Sequence, residues 1–193
     1  MKKFELTNEF ITNMFGTKLF RIRALVEFGD VEAGELGGYV EKESNLGHDD
    51  NAWVYDNAWV YGNARVYGDA QVSGDARVYD NAWVYGDAQV SGNAWVYGNA
   101  WVYGNALVCS DEDYAYAHGF GSVNRTTTFF RLKDGGVGVR CGCFYGTLAQ
   151  FRDKIRETHG ETKKAQEYLM LADLMELRFE EDENEVGNRK YVE

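Results

Sequence analysis

Residues 51–109 read NAWVYD NAWVYG NARVYG DAQVSG DARVYD NAWVYG DAQVSG NAWVYG NAWVYG NALVC. Alanine falls every six residues from Ala52 to Ala106, and valine every six from Val54 to Val108. A fixed short period decides the architecture before any other feature is weighed. A helix turns every 3.6 residues and cannot hold a six-residue register on one face. A strand that bends at every sixth residue can. Ala and Val stand two apart, so on an extended segment they point to the same side, and that side is the interior. The residue between them points outward. Gly or Asp followed by Asn or Asp makes each corner, because these residues tolerate positive φ.

A longer period lies over the short one. Gln71-Val72-Ser73 returns as Gln89-Val90-Ser91, with Asp69 and Asp87 ahead of them at the same spacing. Three hexads therefore close one coil, and residues eighteen apart stack about 4.8 Å apart, as in any parallel ladder. The first face stacks Trp53, Gln71, Gln89 and Leu107, beside Tyr55, Ser73, Ser91 and Cys109. The second stacks Trp59, Arg77 and Trp95, beside Tyr61, Tyr79 and Tyr97. The third stacks Arg65, Trp83 and Trp101, beside Tyr67, Tyr85 and Tyr103. On this register the tryptophans point out of the prism.

All five tryptophans of the chain lie in this block. Exposed aromatic patches of that size mark interaction surfaces. They also arise where rings pack across strands and stabilise a β surface, with no partner involved. Both readings stand at this point. On the first, the interface candidates are Trp59, Tyr79 and Trp95 on one face and Trp83, Tyr85 and Trp101 on the next, with self-association expected ahead of another partner.

An open coil exposes strand edges at both ends and invites polymerisation unless they are blocked. The flanks read as blocks. Leu19 to Leu25 alternates as a strand, and Gly29-Asp30, Gly34 and Gly37-Gly38 read as turns. Val40 and Leu46 fall in register with the alanines. Downstream, Thr126 to Leu132 is a strand, Lys133-Asp134-Gly135-Gly136 a hairpin turn and Val137 to Phe144 the returning strand. Thr147-Leu148-Ala149-Gln150 is a capping box that opens a helix with Leu148, Phe151 and Ile155 inward. Gly160 ends that helix, and a second runs from about Thr162 to Phe179. The division is a β cap over 1–46, the β-helix over 47–119, a small α+β domain over 120–179 and an acidic tail over 180–193.

FRIRALVEFGDVEAGELGGYVEKESNL (20–46), the NAxVYG array, GSVNRTTTFFRLKDGGVGVRCGCFYGTL (121–148) and ETHG (157–160) together resemble a phage and prophage family of hexapeptide-repeat proteins. Such proteins are labelled polymer-forming or of unknown function. The resemblance spans nearly the whole chain. It implies a left-handed parallel β-helix in a mainly β protein, and a phage or mobile-element setting. It implies no settled activity. The segment from Asp111 to His118, acidic and rich in tyrosine, breaks the repeat.

Charge and composition narrow the partners. The formal net charge is −11, which disfavours nonspecific binding to nucleic acid phosphates. No apolar run reaches the roughly 18 residues of a membrane span, and Met1 to Phe20 lacks the apolar core of a signal peptide. The three cysteines do not form a secreted disulfide pattern. The expected location is the cytoplasm, that of the host cell if the protein is phage-encoded.

Catalytic chemistry is sparse. Acyltransferases on this fold use a histidine base near the coils, but residues 51–109 contain none, and only His48 and His118 flank them. Cys141-Gly142-Cys143 is too short for a zinc knuckle and has no second pair. As one strand it would turn both thiols to one side. His159 sits where a helix C-terminus favours a cation. The densest polar cluster is Ser122, Asn124, Arg125 and Thr127, with Arg131 and Arg140 following. Such a set can hold a phosphate or carboxylate, or it can be a polar loop beside β-strand threonines. It is not a P-loop, since no GKS or GKT is present.

The sequence thus favours a non-enzymatic, homo-oligomeric binding protein of phage type, without metal or cofactor. Its ligand would be a host defence protein or a small anionic nucleotide signal. The rivals are a structural scaffold and an acyltransferase-like enzyme. An acidic prism that imitates DNA would need a negative stripe, and the faces are aromatic instead.

Overall fold

A computed structural model describes residues 2–180. The acidic tail proposed for 180–193 lies outside them apart from Glu180. Three strands open the chain: β1 (Phe4–Thr12), β2 (Lys18–Ala24) and β3 (Leu36–Val40). Ten short strands follow, one per hexad, from Trp53–Val54 (β4) to Leu107–Val108 (β13). The chain then forms an antiparallel sheet of β14 (Tyr114–Phe120), β15 (Arg125–Arg131), β16 (Val137–Cys141) and β17 (Phe144–Thr147). Two helices close it, α1 (Leu148–His159) and α2 (Lys163–Phe179).

The repeat forms a parallel β-solenoid with three sheets. Gln89 pairs with Gln71 and Leu107, Trp59 with Arg77, and Trp83 with Arg65 and Trp101. These are the eighteen-residue partners and the three faces that the period predicts. Every repeat alanine and valine from Ala52 to Val108 is fully buried. The interior is thin, so each coil contributes only small side chains to a continuous apolar column.

The corners explain the Gly/Asp alternation. Most corner positions carry glycine at positive φ. Asp56 and Asp80 take the same conformation, at φ 52° and 59°. Their carboxylates accept hydrogen bonds from the backbone N–H of Gly74 and Gly98, one coil above, at 3.0 and 3.3 Å. The next position forms a side-chain ladder, Asn63 donating to Asn81 and Asn81 to Asn99.

The first coil departs from the expected register. Val40 pairs with Val60 and Leu46 bridges Val66, so both lie beneath valines, not alanines. Two additional residues are taken up at the corner after Leu46. There the His48 ring stacks on Phe4 at 4.4 Å, and the Asp50 carboxylate accepts from Gly68 N–H at 2.7 Å. Gly37-Gly38 is not a turn but the middle of β3. A methyl on Gly37 would collide with Trp53 and the Val54 carbonyl, so the missing side chains let the strand lie flush against the base of the coil. Lys3 is buried beside this junction and donates to the carbonyls of Asp50 and Ala52. Burial holds its pKa below the ordinary lysine value, against the opposing pull of Asp50.

Trp53 needs a correction too. It points out of the prism, as its position requires, yet it is 0% exposed. Phe4 and Phe28 meet its ring edge-on at 6.2 and 5.3 Å. The N-terminal sheet thus covers the lowest part of the first face.

At the other end, the segment that breaks the repeat becomes β14 and joins the C-terminal sheet, so that sheet starts before residue 120. The returning strand is split in two. Gly142, at φ 60°, turns the chain between β16 and β17. Cys141 is therefore buried while Cys143 lies exposed at the turn. The capping box at Thr147 and Gln150 is formed, and Leu148, Phe151 and Ile155 are buried.

Candidate functional site

The second and third faces carry the exposed aromatics, and each is a column of stacked rings. On the second, the Arg77 guanidinium lies between Trp59 and Trp95, at 4.3 and 4.8 Å from the ring centres. Tyr61, Tyr79 and Tyr97 stack beside it at 5.1 and 5.3 Å. Burial, with the neighbouring Tyr61 and Tyr97, pushes the Tyr79 phenol up to about 12. Trp95 remains 41% exposed.

On the third face the cations sit at the ends. Trp83 stacks on Trp101 at 5.2 Å, and Tyr85 on Tyr103 at 5.4 Å. Arg65 lies 5.5 Å beneath Trp83, and its Nη1 donates to the Tyr67 hydroxyl. Arg140, from β16, lies 5.3 Å from Trp101 and 5.2 Å from Tyr103. Tyr145 closes the tyrosine column edge-on at 4.8 Å.

In the Trp83–Trp101 column the rings stack on each other and the outer faces meet Arg65 and Arg140, so an approaching ligand meets ring edges there. Aromatic edges carry the positive part of the ring quadrupole, and indole N–H groups are donors only. Between the columns runs a groove of about 410 Å³, lined by Arg65, Tyr67, Trp83, Tyr85, Trp101, Tyr103 and Arg140. At Trp101 and Arg140 it meets a second cleft of about 440 Å³, which adds Asn99, His118, Arg125, Thr126 and Gly142. Among the described residues no carboxylate lines either cleft. In a chain of net charge −11, this is a local concentration of positive charge.

Another cleft, about 850 Å³, lies on the first face. Its floor is Gln71, Gln89, Ser73 and Ser91, and its rim includes Asp56, Glu112 and Asp113. The Gln89 amide donates to Gln71, and Arg131 is engaged by Asp113 at 3.4 Å. Arg131 and Asp113 pair, and Asp56 and Glu112 leave the lining acidic on balance, which disfavours an anionic ligand.

The six residues proposed as a ligand site do not converge. Arg125 and Arg140 share the 440 Å³ cleft. Thr127 is buried on the opposite side of the sheet, its hydroxyl on the Cys141 sulfur at 3.2 Å. Arg131 pairs with Asp113 and donates to the Phe179 carbonyl. Ser122 sits in a turn against α2, its N–H on the Tyr168 hydroxyl, and Asn124 has φ 49° in the same turn. His118 and Arg65 belong to the clefts but were not among the six. The signal for Arg65 was its place directly beneath Trp83 in the stacking register.

A family model described as the YdcK beta solenoid repeat matches residues 58–72, 70–86 and 88–104. Those windows lie inside the coils described above and support a repeat β-helix family. No curated protein matches the chain. Among the described residues no helix is long and apolar enough to cross a membrane.

Proposed function

We propose that the protein is a non-enzymatic binding protein that captures a small anionic ligand along the groove of the third face. The observation that carries this reading is the placement of Arg65 and Arg140 at the two ends of the Trp83–Trp101 column, with ring edges between them and no acid in the lining. The cap sheet supplies Arg140, so the groove takes its final form only when the solenoid and the cap pack together. Copies would associate through the second face, whose column is internally satisfied and still exposes Trp95 and Tyr97. If the protein acts in the phage setting implied by the sequence resemblance, the ligand is a nucleotide signal of host defence, with a host defence protein as the other candidate.

The scaffold alternative draws less support, because both ends of the solenoid are covered. The sheet of β1 to β3 continues the second face below, and β14 to β17 roof the last coil. The acyltransferase alternative draws less support, because the repeat coils carry no histidine and the two flanking ones lie at opposite ends of the solenoid. His48 accepts from the Lys3 backbone N–H at 3.2 Å, and His118 is bonded to the Thr126 hydroxyl at 2.9 Å.

Native mass spectrometry of protein purified from cells in which it acts tests the proposal. The expected result is a discrete oligomer carrying a small anionic mass that is lost in Arg65→Ala and Arg140→Gln. Open-ended polymers without bound mass would replace capture with scaffolding.

A further inference from the structure

Resting on the reading of the protein as an anion-capturing one, we infer that Arg125, Arg140 and His118 form a phosphoryl-binding subsite beneath the overhang of the cap sheet. Strand register builds it. His118 pairs with Thr126, Tyr116 with Thr128, and Arg140 with both Thr128 and Tyr145. Directly paired residues share a sheet face, as do residues two apart. One row of that face therefore holds Tyr116, Thr128, Arg140 and Tyr145, and the next holds His118 and Thr126.

The first row sits on the solenoid. The Thr128 hydroxyl accepts from Trp101 N–H at 2.9 Å, while Arg140 and Tyr145 cover Trp101 and Tyr103. The second row opens onto the 440 Å³ cleft. Arg125 enters from the start of β15, and its guanidinium lies over Gly142, where a methyl would collide with Nη1. A side chain at the turn would push Arg125 away.

The donors are held but not used up. Arg140 is fixed by Trp101, Tyr103 and a hydrogen bond to the Phe144 carbonyl at 3.2 Å, yet its buried Nε has no partner. The Arg125 side chain has no ion pair or hydrogen bond among the described residues. The His118 ring engages Thr126 through Nδ1 and keeps its other nitrogen for the cleft. Two guanidinium forks and an imidazole converging from three strands suit a tetrahedral group with three terminal oxygens. A planar carboxylate is satisfied by a single fork. The groove then takes the remainder of a phosphate monoester.

Calorimetry with inorganic phosphate, and with acetate as the planar control, tests the subsite. Phosphate is expected to bind and acetate not. Arg125→Gln should weaken phosphate by about tenfold with an unchanged thermal melt, since Arg125 supports nothing else. Arg125→Lys should recover part of the loss. Equal binding of the two anions, or phosphate binding indifferent to Arg125→Gln, would overturn the assignment. A co-purified ligand released by Arg65→Ala but free of phosphorus would remove the subsite and leave groove capture standing. Arg125-dependent phosphate binding with no groove-dependent ligand would do the reverse.

Discussion

The second and third faces are written in the same hexad, and they differ in where the arginine falls. On the second it lies between two tryptophans; on the third it lies below two adjacent ones, and a second arginine arrives from the cap. A cation enclosed by two rings is finished as a structural element. Cations at the ends of a column of rings leave a groove with positive termini. Shifting one residue by one coil therefore separates a stabilising ladder from a candidate binding surface. Both faces show the ladder reading of the aromatics, as columns of stacked rings.

The comparison can be pressed hardest with the tryptophan that belongs to neither face. Trp53→Ala should cost about 3–5 kcal/mol, as for other buried aromatics, whereas Trp95→Ala at the same hexad position should cost far less. Urea unfolding of the two variants measures this, and equal losses would mean that the N-terminal sheet does not seal the first face. Arg77→Ala comes next. It removes two ring contacts, each worth about 0.5–1 kcal/mol, so a loss of about 1–2 kcal/mol is expected with no change in ligand content. Arg65→Ala removes one such contact, about 0.5–1 kcal/mol, but should release bound ligand. If Arg77→Ala released ligand and Arg65→Ala did not, the roles assigned to the faces would be exchanged.

The smallest effect concerns the tyrosine column. An unfolded phenol ionises near pH 10, while Tyr79 in the fold is pushed up to about 12, chiefly by burial. The folded state thus keeps its proton longer. The stability this contributes is full below about pH 10 and declines as pH rises toward 12. Tyr79→Phe should flatten that decline in urea midpoints measured across the interval. An unchanged slope would show that another group carries it.

The repeat made the solenoid legible because its information is local: six residues define a side and a corner, and eighteen define a neighbour. The capping box at Thr147 was legible for the same reason. What escaped depends on distant segments. Nothing near Trp53 indicates that Phe4 and Phe28 will cover it. Counting back in sixes places Leu46 beneath an alanine, and the two extra residues at the corner containing His48 and Asp50 move it beneath Val66. In the polar cluster, proximity along the chain does not bring the side chains together in space. Alternation along β15 sends Thr126 to the cleft and Thr127 to the helix side. The convergence of Arg125 with Arg140 was legible only as two arginines on paired strands. The contribution of His118 needed the register of β14.

The three-hexad coil also sets which length changes the gene can tolerate. Repetitive coding sequence slips during replication, gaining or losing whole units. A gain or loss of eighteen residues leaves the roof over the same wall and only alters the length of the aromatic columns. A slip of six turns everything downstream by a third of a revolution. Arg140 would then hang over a different wall, and Trp101 would lose its lid while the interior of alanine and valine stayed intact. Variation in coil number among related chains should therefore occur in steps of eighteen wherever the groove is used, and in steps of six only where it is not.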